Sequence, residues 1–131
     1  MSGRVAYLDS SAFVKLVVGE AESEALRSHL REWPERASAM LLRTEVLRAV
    51  APAGWAAIRL ARAEMAKLTL LVITPALFDA AGAIPGAVRS LDAIHVAVAH
   101  SLGAELGQVV TYDRRLAAAA SQLGLSVASP A

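Results

Sequence analysis

The feature that most constrains this chain is a set of short apolar runs that do not alternate. Val5 to Leu8, Thr69 to Ile73, Val109 to Thr111 and Leu125 to Ala128 are apolar at nearly every position. A strand with one wet face alternates apolar and polar residues, whereas a strand covered on both faces does not. Ala37 to Ala39 adds a shorter candidate. Helical patterns lie between the runs. Ser11 to Val18 has Gly19 placed as its C′ residue. Glu22 to Trp33 carries Leu26, Leu30 and Trp33 at helical spacing, and Leu41 to Val50 stops before Pro52. Trp55 to Lys67 follows, and Pro75 sits at N1 of a short helix through Ala81. Leu91 to Leu102 and Arg114 to Leu123 each end before a glycine. Strands alternating with helices predict a three-layer α/β/α sandwich around a short, mostly parallel central sheet.

No linker, repeat or charge block interrupts the 131 residues, so residues 1–131 read as one domain. A hydrophobic share of 56% against 19% charged excludes disorder. Cysteine is absent, which excludes a disulfide scaffold, a cysteine-ligated zinc site and a thiol nucleophile. The charge-free stretches stay below about 18 residues and contain Pro, Thr, Ser or Gly, so no membrane span is expected. The apolar run after Met1-Ser2-Gly3-Arg4 is too short for a signal peptide, and a cytoplasmic protein is expected.

The net charge of +1 is uninformative, but its distribution is not. The bases are nearly all Arg, whose fork reads phosphate better than Lys does. Aspartate occurs only at Asp9, Asp79, Asp92 and Asp113. Asp9 ends the first strand, Asp113 follows the strand around Val109, and Asp92 lies in the first turn after Ser90. All three can reach the carboxyl edge of a parallel sheet, where such folds bind ligands. Glu45 lies mid-helix on the face of Leu41 and Arg48. Taken singly, each Asp reads first as a helix cap, and Glu45 as a solvated residue or a partner of Arg48.

Together the four acids point to a cation. Two carboxylates about 5 Å apart repel by roughly 3 kcal/mol at an effective dielectric near 20. Four would take up protons or recruit a metal. An all-oxygen donor set favours Mg²⁺, with Mn²⁺ able to substitute, over zinc. That ion suits phosphodiester hydrolysis by activated water.

Four segments carry a family resemblance: Tyr7 to Leu16, Arg43 to Ala49, Arg89 to Ala97 and Val110 to Leu116. In this order and near this spacing they resemble the PIN domain, and more narrowly the VapC toxins of type II toxin–antitoxin systems. The resemblance implies a PIN-like fold and a Mg²⁺-dependent endoribonuclease restrained by a VapB-like antitoxin. It makes RNA the substrate and a homodimer the expected assembly. Asp9, Glu45, Asp92 and Asp113 match the family's four acids. Asp9 and Asp92 are implied as the main metal ligands, with Glu45 and Asp113 completing the shell directly or through water. Thr111 matches a hydroxyl position of the fourth motif. Ser10, Thr111, Arg89 and Arg114 are the candidates for substrate or outer-shell contacts.

Other residues read more plainly. His95 shares a face with Asp92 but reads as a helix residue packed or hydrogen-bonded near the site; His29 reads as surface. Lys15 fits a salt bridge with Glu20, Glu22 or Glu24 as well as a phosphate contact. An antitoxin segment is expected against apolar helix faces around Leu26, Leu30 and Trp33. Among competing functions, a receiver-like signalling domain lacks the acid pair after its first strand, where Ser10-Ser11 stands. A phosphatase using Asp9 as nucleophile would want Asp where Ser11 sits. The alternative kept is a non-catalytic RNA- or protein-binding module with the same fold.

Overall fold

The first strand, β1 (Val5–Leu8), sends its side chains into two cores. Ala6 and Leu8 pack with Phe13, Leu26, Val46 and Met65, while Tyr7 packs on the other side with Val96, Val98 and Leu116. That division explains why the run does not alternate in polarity.

The computed structural model describes residues 3–131; Met1 and Ser2 of the leader-free N-terminal reading lie outside the described residues. After β1 come α1 (Ser10–Val14), α2 (Ser23–Leu30), β2 (Glu35–Ala39), α3 (Leu42–Val50), α4 (Trp55–Met65) and β3 (Thr69–Leu71). The chain continues through α5 (Pro75–Gly82), α6 (Ser90–Ser101), β4 (Leu106–Val110), α7 (Arg114–Gln122) and β5 (Val127–Ala128). The five strands form one sheet in the order β3-β2-β1-β4-β5, parallel at every pairing. Helices α1 to α4 supply one core, and α6 and α7 line the other, with α5 packed against α6 through Ala81, Ala93 and Ala97. This is the expected three-layer α/β/α sandwich. No helix among the described residues is long and apolar enough to cross a membrane.

Among the boundaries that differ from the sequence reading, three have a clear local reason. The first helix stops at Val14 rather than Val18, because the backbone tightens into bonds from Lys15 to Ala12, Leu16 to Phe13 and Val17 to Val14. The β-branched pair Val17-Val18 gives little support to a further helical turn. Gly19 is accordingly not in the left-handed region of a C′ residue. Helix α2 ends at Leu30, and the Arg36 guanidinium binds the carbonyls at and just beyond its end, donating to Leu30 O at 2.7 Å and Trp33 O at 2.8 Å. Strand β2 therefore begins at Glu35, two residues before the apolar run. Leu26 and Leu30 are core residues at 0% and 1% exposure, so they cannot form the accessible face expected for a partner.

Candidate active site

β1 and β4 are neighbours, but the chain proceeds from β1 outward through β2 and β3, and from β4 outward to β5. The crevice beyond their carboxyl ends is the switch point of the sheet, where a parallel α/β fold opens a binding site. Asp9 leaves β1 there, and Thr111, Tyr112 and Asp113 leave β4 there.

Asp9 is the N-cap of α1 and is 2% exposed. Its Oδ1 accepts from the Ala12 amide at 3.0 Å and from Ser11 Oγ at 2.8 Å; its Oδ2 accepts from Thr111 Oγ1 at 2.6 Å. Both hydroxyls also accept from the loop after β4. The Tyr112 amide donates to Ser11 Oγ at 2.9 Å, and the Asp113 amide donates to Thr111 Oγ1 at 3.0 Å. The two strand ends are thus tied to each other through one carboxylate. Burial nevertheless raises the Asp9 pKa, with the hydrogen bonds from Thr111, Ala12 and Ser11 pulling the other way.

Asp113 caps α7, accepting from the Arg115 and Leu116 amides at 2.9 and 3.0 Å. Asp92 stands in the first turn of α6. Its pKa is raised first by burial and next by the charges of Asp113, Asp9 and Glu45, with His95 opposing. Asp92 therefore lies within electrostatic reach of the other three acids. Glu45 is in the first turn of α3 rather than mid-helix, and its partner is His95, not Arg48. Nε2 of His95 lies 2.6 Å from Glu45 Oε1, and Nδ1 lies 2.7 Å from the Tyr7 hydroxyl.

Among the described residues no three acidic or histidine side chains are close enough together to form a ready-made metal cage. The acids share a crevice without forming a shell, which is what mutual repulsion and separate hydrogen bonds would give. The donor set still fits a hard cation: every acid offers oxygen, and two have raised pKa values through burial, reinforced at Asp92 by neighbouring acids.

The remaining candidates separate clearly. Ser10 opens α1 and lines a groove of about 380 Å³ with Lys15, Glu45 and Tyr112, but the hydroxyl that holds Asp9 belongs to Ser11. Lys15 donates to Glu22 at 2.7 Å and sits 4.8 Å over the Tyr112 ring, which favours the salt-bridge reading. Arg89 and Arg114 are exposed at the starts of α6 and α7. His29 is not a free surface residue; it is partly buried, bonded to Gln108 and stacked on Trp33.

A family model of the PIN domain matches residues 6–122. The chain belongs to the PIN-domain family. It is 47% identical over 125 residues to Ribonuclease VapC46 of Mycobacterium tuberculosis, covering 95% of this chain and 96% of that one. It is also 41% identical over 133 residues to Ribonuclease VapC35 of the same species, at the same coverage. Two solved structures share the fold at 18% identity. One is Mycobacterium tuberculosis VapC20, described as a Sarcin-Ricin loop cleaving toxin, with a TM-score of 0.71 over 87% of this chain and 94% of that one. The other is a toxin–antitoxin complex from Klebsiella pneumoniae, with a TM-score of 0.75 over 96% and 98%. Asp9, Asp92 and Asp113 were legible as helix-start residues of a chain with only four aspartates, while Glu45 was read as mid-helix and placed with them by the family resemblance. Ser11 and Tyr7 were not legible, because what they touch lies 100 and 88 residues away.

Proposed function

We propose that this PIN-domain chain is a Mg²⁺-dependent endoribonuclease and the toxin of a VapBC-like type II toxin–antitoxin module. The observation that supports this is that Asp92, near the carboxyl ends of β1 and β4, feels the charges of Asp9, Glu45 and Asp113. The full-length similarity to proteins named as VapC ribonucleases supports it.

Asp9 and Asp92 would hold the ion, with Glu45 and Asp113 completing its surroundings directly or through water. When bound, Mg²⁺ (or Mn²⁺) supplies a Lewis acid for a phosphoryl oxygen and lowers the pKa of a water. The chain does the rest. Thr111 and Ser11 fix both oxygens of Asp9, so its direction is set before substrate arrives. Asp113 is anchored by two amides, which hold its carboxylate at the start of α7. Arg89 and Arg114, exposed at the starts of α6 and α7, would contact RNA phosphates.

A nuclease that acts in the cytoplasm needs a restraint. A short VapB-like antitoxin would supply it, with an Arg or Lys entering the carboxylate cluster through charge-assisted hydrogen bonds. The active assembly is read as a homodimer. The test pairs two assays. The purified chain should cleave RNA with Mg²⁺ and stop in excess EDTA. Induced alone it should arrest growth, and co-expression of the neighbouring small open reading frame should relieve the arrest. Normal growth under strong solo induction of soluble protein, together with no Mg²⁺-dependent cleavage, would instead favour the non-catalytic binding module.

A further inference from the structure

The core beneath the crevice is built mainly from Ala, Val and Leu, yet it holds a buried polar pair. Tyr7 on β1 and His95 on α6 are both 0% exposed. Their rings meet edge to face at 5.8 Å. Burying such groups is costly unless they are bonded, and replacing both by apolar groups of like shape is often neutral or stabilising. Stability alone therefore gives no reason for the pair. What it does that an apolar pair would not is direct one N–H at Glu45.

We propose that Tyr7 and His95 are positioning residues that fix the Glu45 carboxylate at the acidic crevice through a directed chain, Tyr7 O–H to His95 Nδ1 and His95 Nε2–H to Glu45 Oε1. The direction follows from donor and acceptor chemistry. An ionised carboxylate only accepts, so the nitrogen 2.6 Å from Glu45 carries the hydrogen. A neutral ring, which a tautomer measurement tests, then has a lone pair at Nδ1 to accept from the Tyr7 hydroxyl at 2.7 Å. A flexible glutamate in the first turn of α3 becomes a fixed one, held from a strand and a helix of the opposite core. The chain spans β1, α6 and α3, so it also ties the elements bearing Asp9 and Asp92 to the one bearing Glu45. Outer-shell partners of this kind typically change activity or metal affinity by about 10–100-fold when removed.

This inference rests on the ribonuclease reading, and the experiment separates the two. In the full chain labelled with ¹⁵N at histidine, the His95 ring should show the Nε2–H tautomer at neutral pH, with or without Mg²⁺. Y7F should disturb that signature while leaving the fold intact. In RNA cleavage, Y7F and H95L should lose roughly tenfold in kcat with little change in KM. H95Q should recover most of the loss, because its amide can still donate to Glu45. An Nδ1–H tautomer or a fully protonated ring overturns the proposal. So does a kcat for Y7F within about twofold of wild type, which also decides the matter if H95L fails to fold. If the wild type does not cleave RNA at all, the ribonuclease reading fails, and the tautomer measurement still judges the hydrogen-bond chain.

Discussion

At the amino end of the sheet, Gly107 of β4 leaves room for the Trp33 ring, His29 stacks on that ring and bonds Gln108, and Arg4 pairs with Glu35 at 2.9 Å. At the carboxyl end lie four acids; burial raises the pKa of Asp9 and of Asp92, and the charges of the other three add to the rise at Asp92. Polar groups at the first end have partners and sit beside close packing. Groups at the second are tied individually yet repel collectively. A stable fold has no use for the second arrangement, whereas a cation site does. The contrast teaches that the strained end is the one to assign to chemistry, and substitutions at the two ends should separate activity from stability.

The largest effect is expected at Asp9. Asp9→Asn keeps an oxygen for the Ala12 amide, so α1 remains capped. It removes one of the two charges proposed to hold the ion. Since loss of an outer-shell partner alone costs about 10–100-fold, RNA cleavage should fall by at least about 100-fold. Circular dichroism and Tm should stay near wild type. A variant that cleaves normally would remove the carboxyl end from the chemistry altogether.

Gly107→Ala is the opposite case. A Cβ at this position would collide with the Gly3 carbonyl oxygen and the Trp33 ring. Backbone cannot yield cheaply, so overpacking of about 1–3 kcal/mol is expected, read as a lower urea midpoint. The kcat of the protein that remains folded should be unchanged, because the substitution lies at the far end of the sheet. A large kcat loss at normal stability would show that the two ends are not independent.

What the sequence disclosed follows the same division. β1 was legible to the residue because both of its faces are buried, and α5 because Thr74 and Pro75 mark its start chemically. Strand β2 was only half legible. Glu35 and Arg36 are charged, and their place in the strand comes from capping α2 and pairing with Arg4, which no local pattern encodes. Asp9 and Asp113 stood out because capping positions are local. Thr111 and His95 were read as lying near the site, but their bonds to Asp9 and Glu45, and the roles of Ser11 and Tyr7 beside them, depend on contacts made only after the sheet has formed. Leu26 and Leu30 misled because helical spacing of apolar residues marks a buried face without saying whether the core or a partner buries it.

The smallest effect, and the sharpest probe of the comparison, is expected at Asp92. Its pKa is raised first by burial and then by Asp113, so the metal-free folded state binds this proton more tightly than the unfolded state does. By linkage, its contribution to stability is most favourable below the ordinary carboxylate range and is lost as pH rises through the raised value. Asp92→Asn abolishes that titration and one repulsive charge. In metal-free buffer at neutral pH it should therefore be more stable than wild type, by up to about 1 kcal/mol for a partly exposed group. That is a Tm increase of roughly 2–5 °C. The advantage should shrink toward acid pH, where the wild-type carboxyl is already neutral. It should reverse in saturating Mg²⁺, because a ligand that binds only the folded wild type stabilises it by mass action. A metal-free Asn variant less stable than wild type at neutral pH would mean that Asp92 is paired like the charges of the amino end, and the distinction between the two ends would fail.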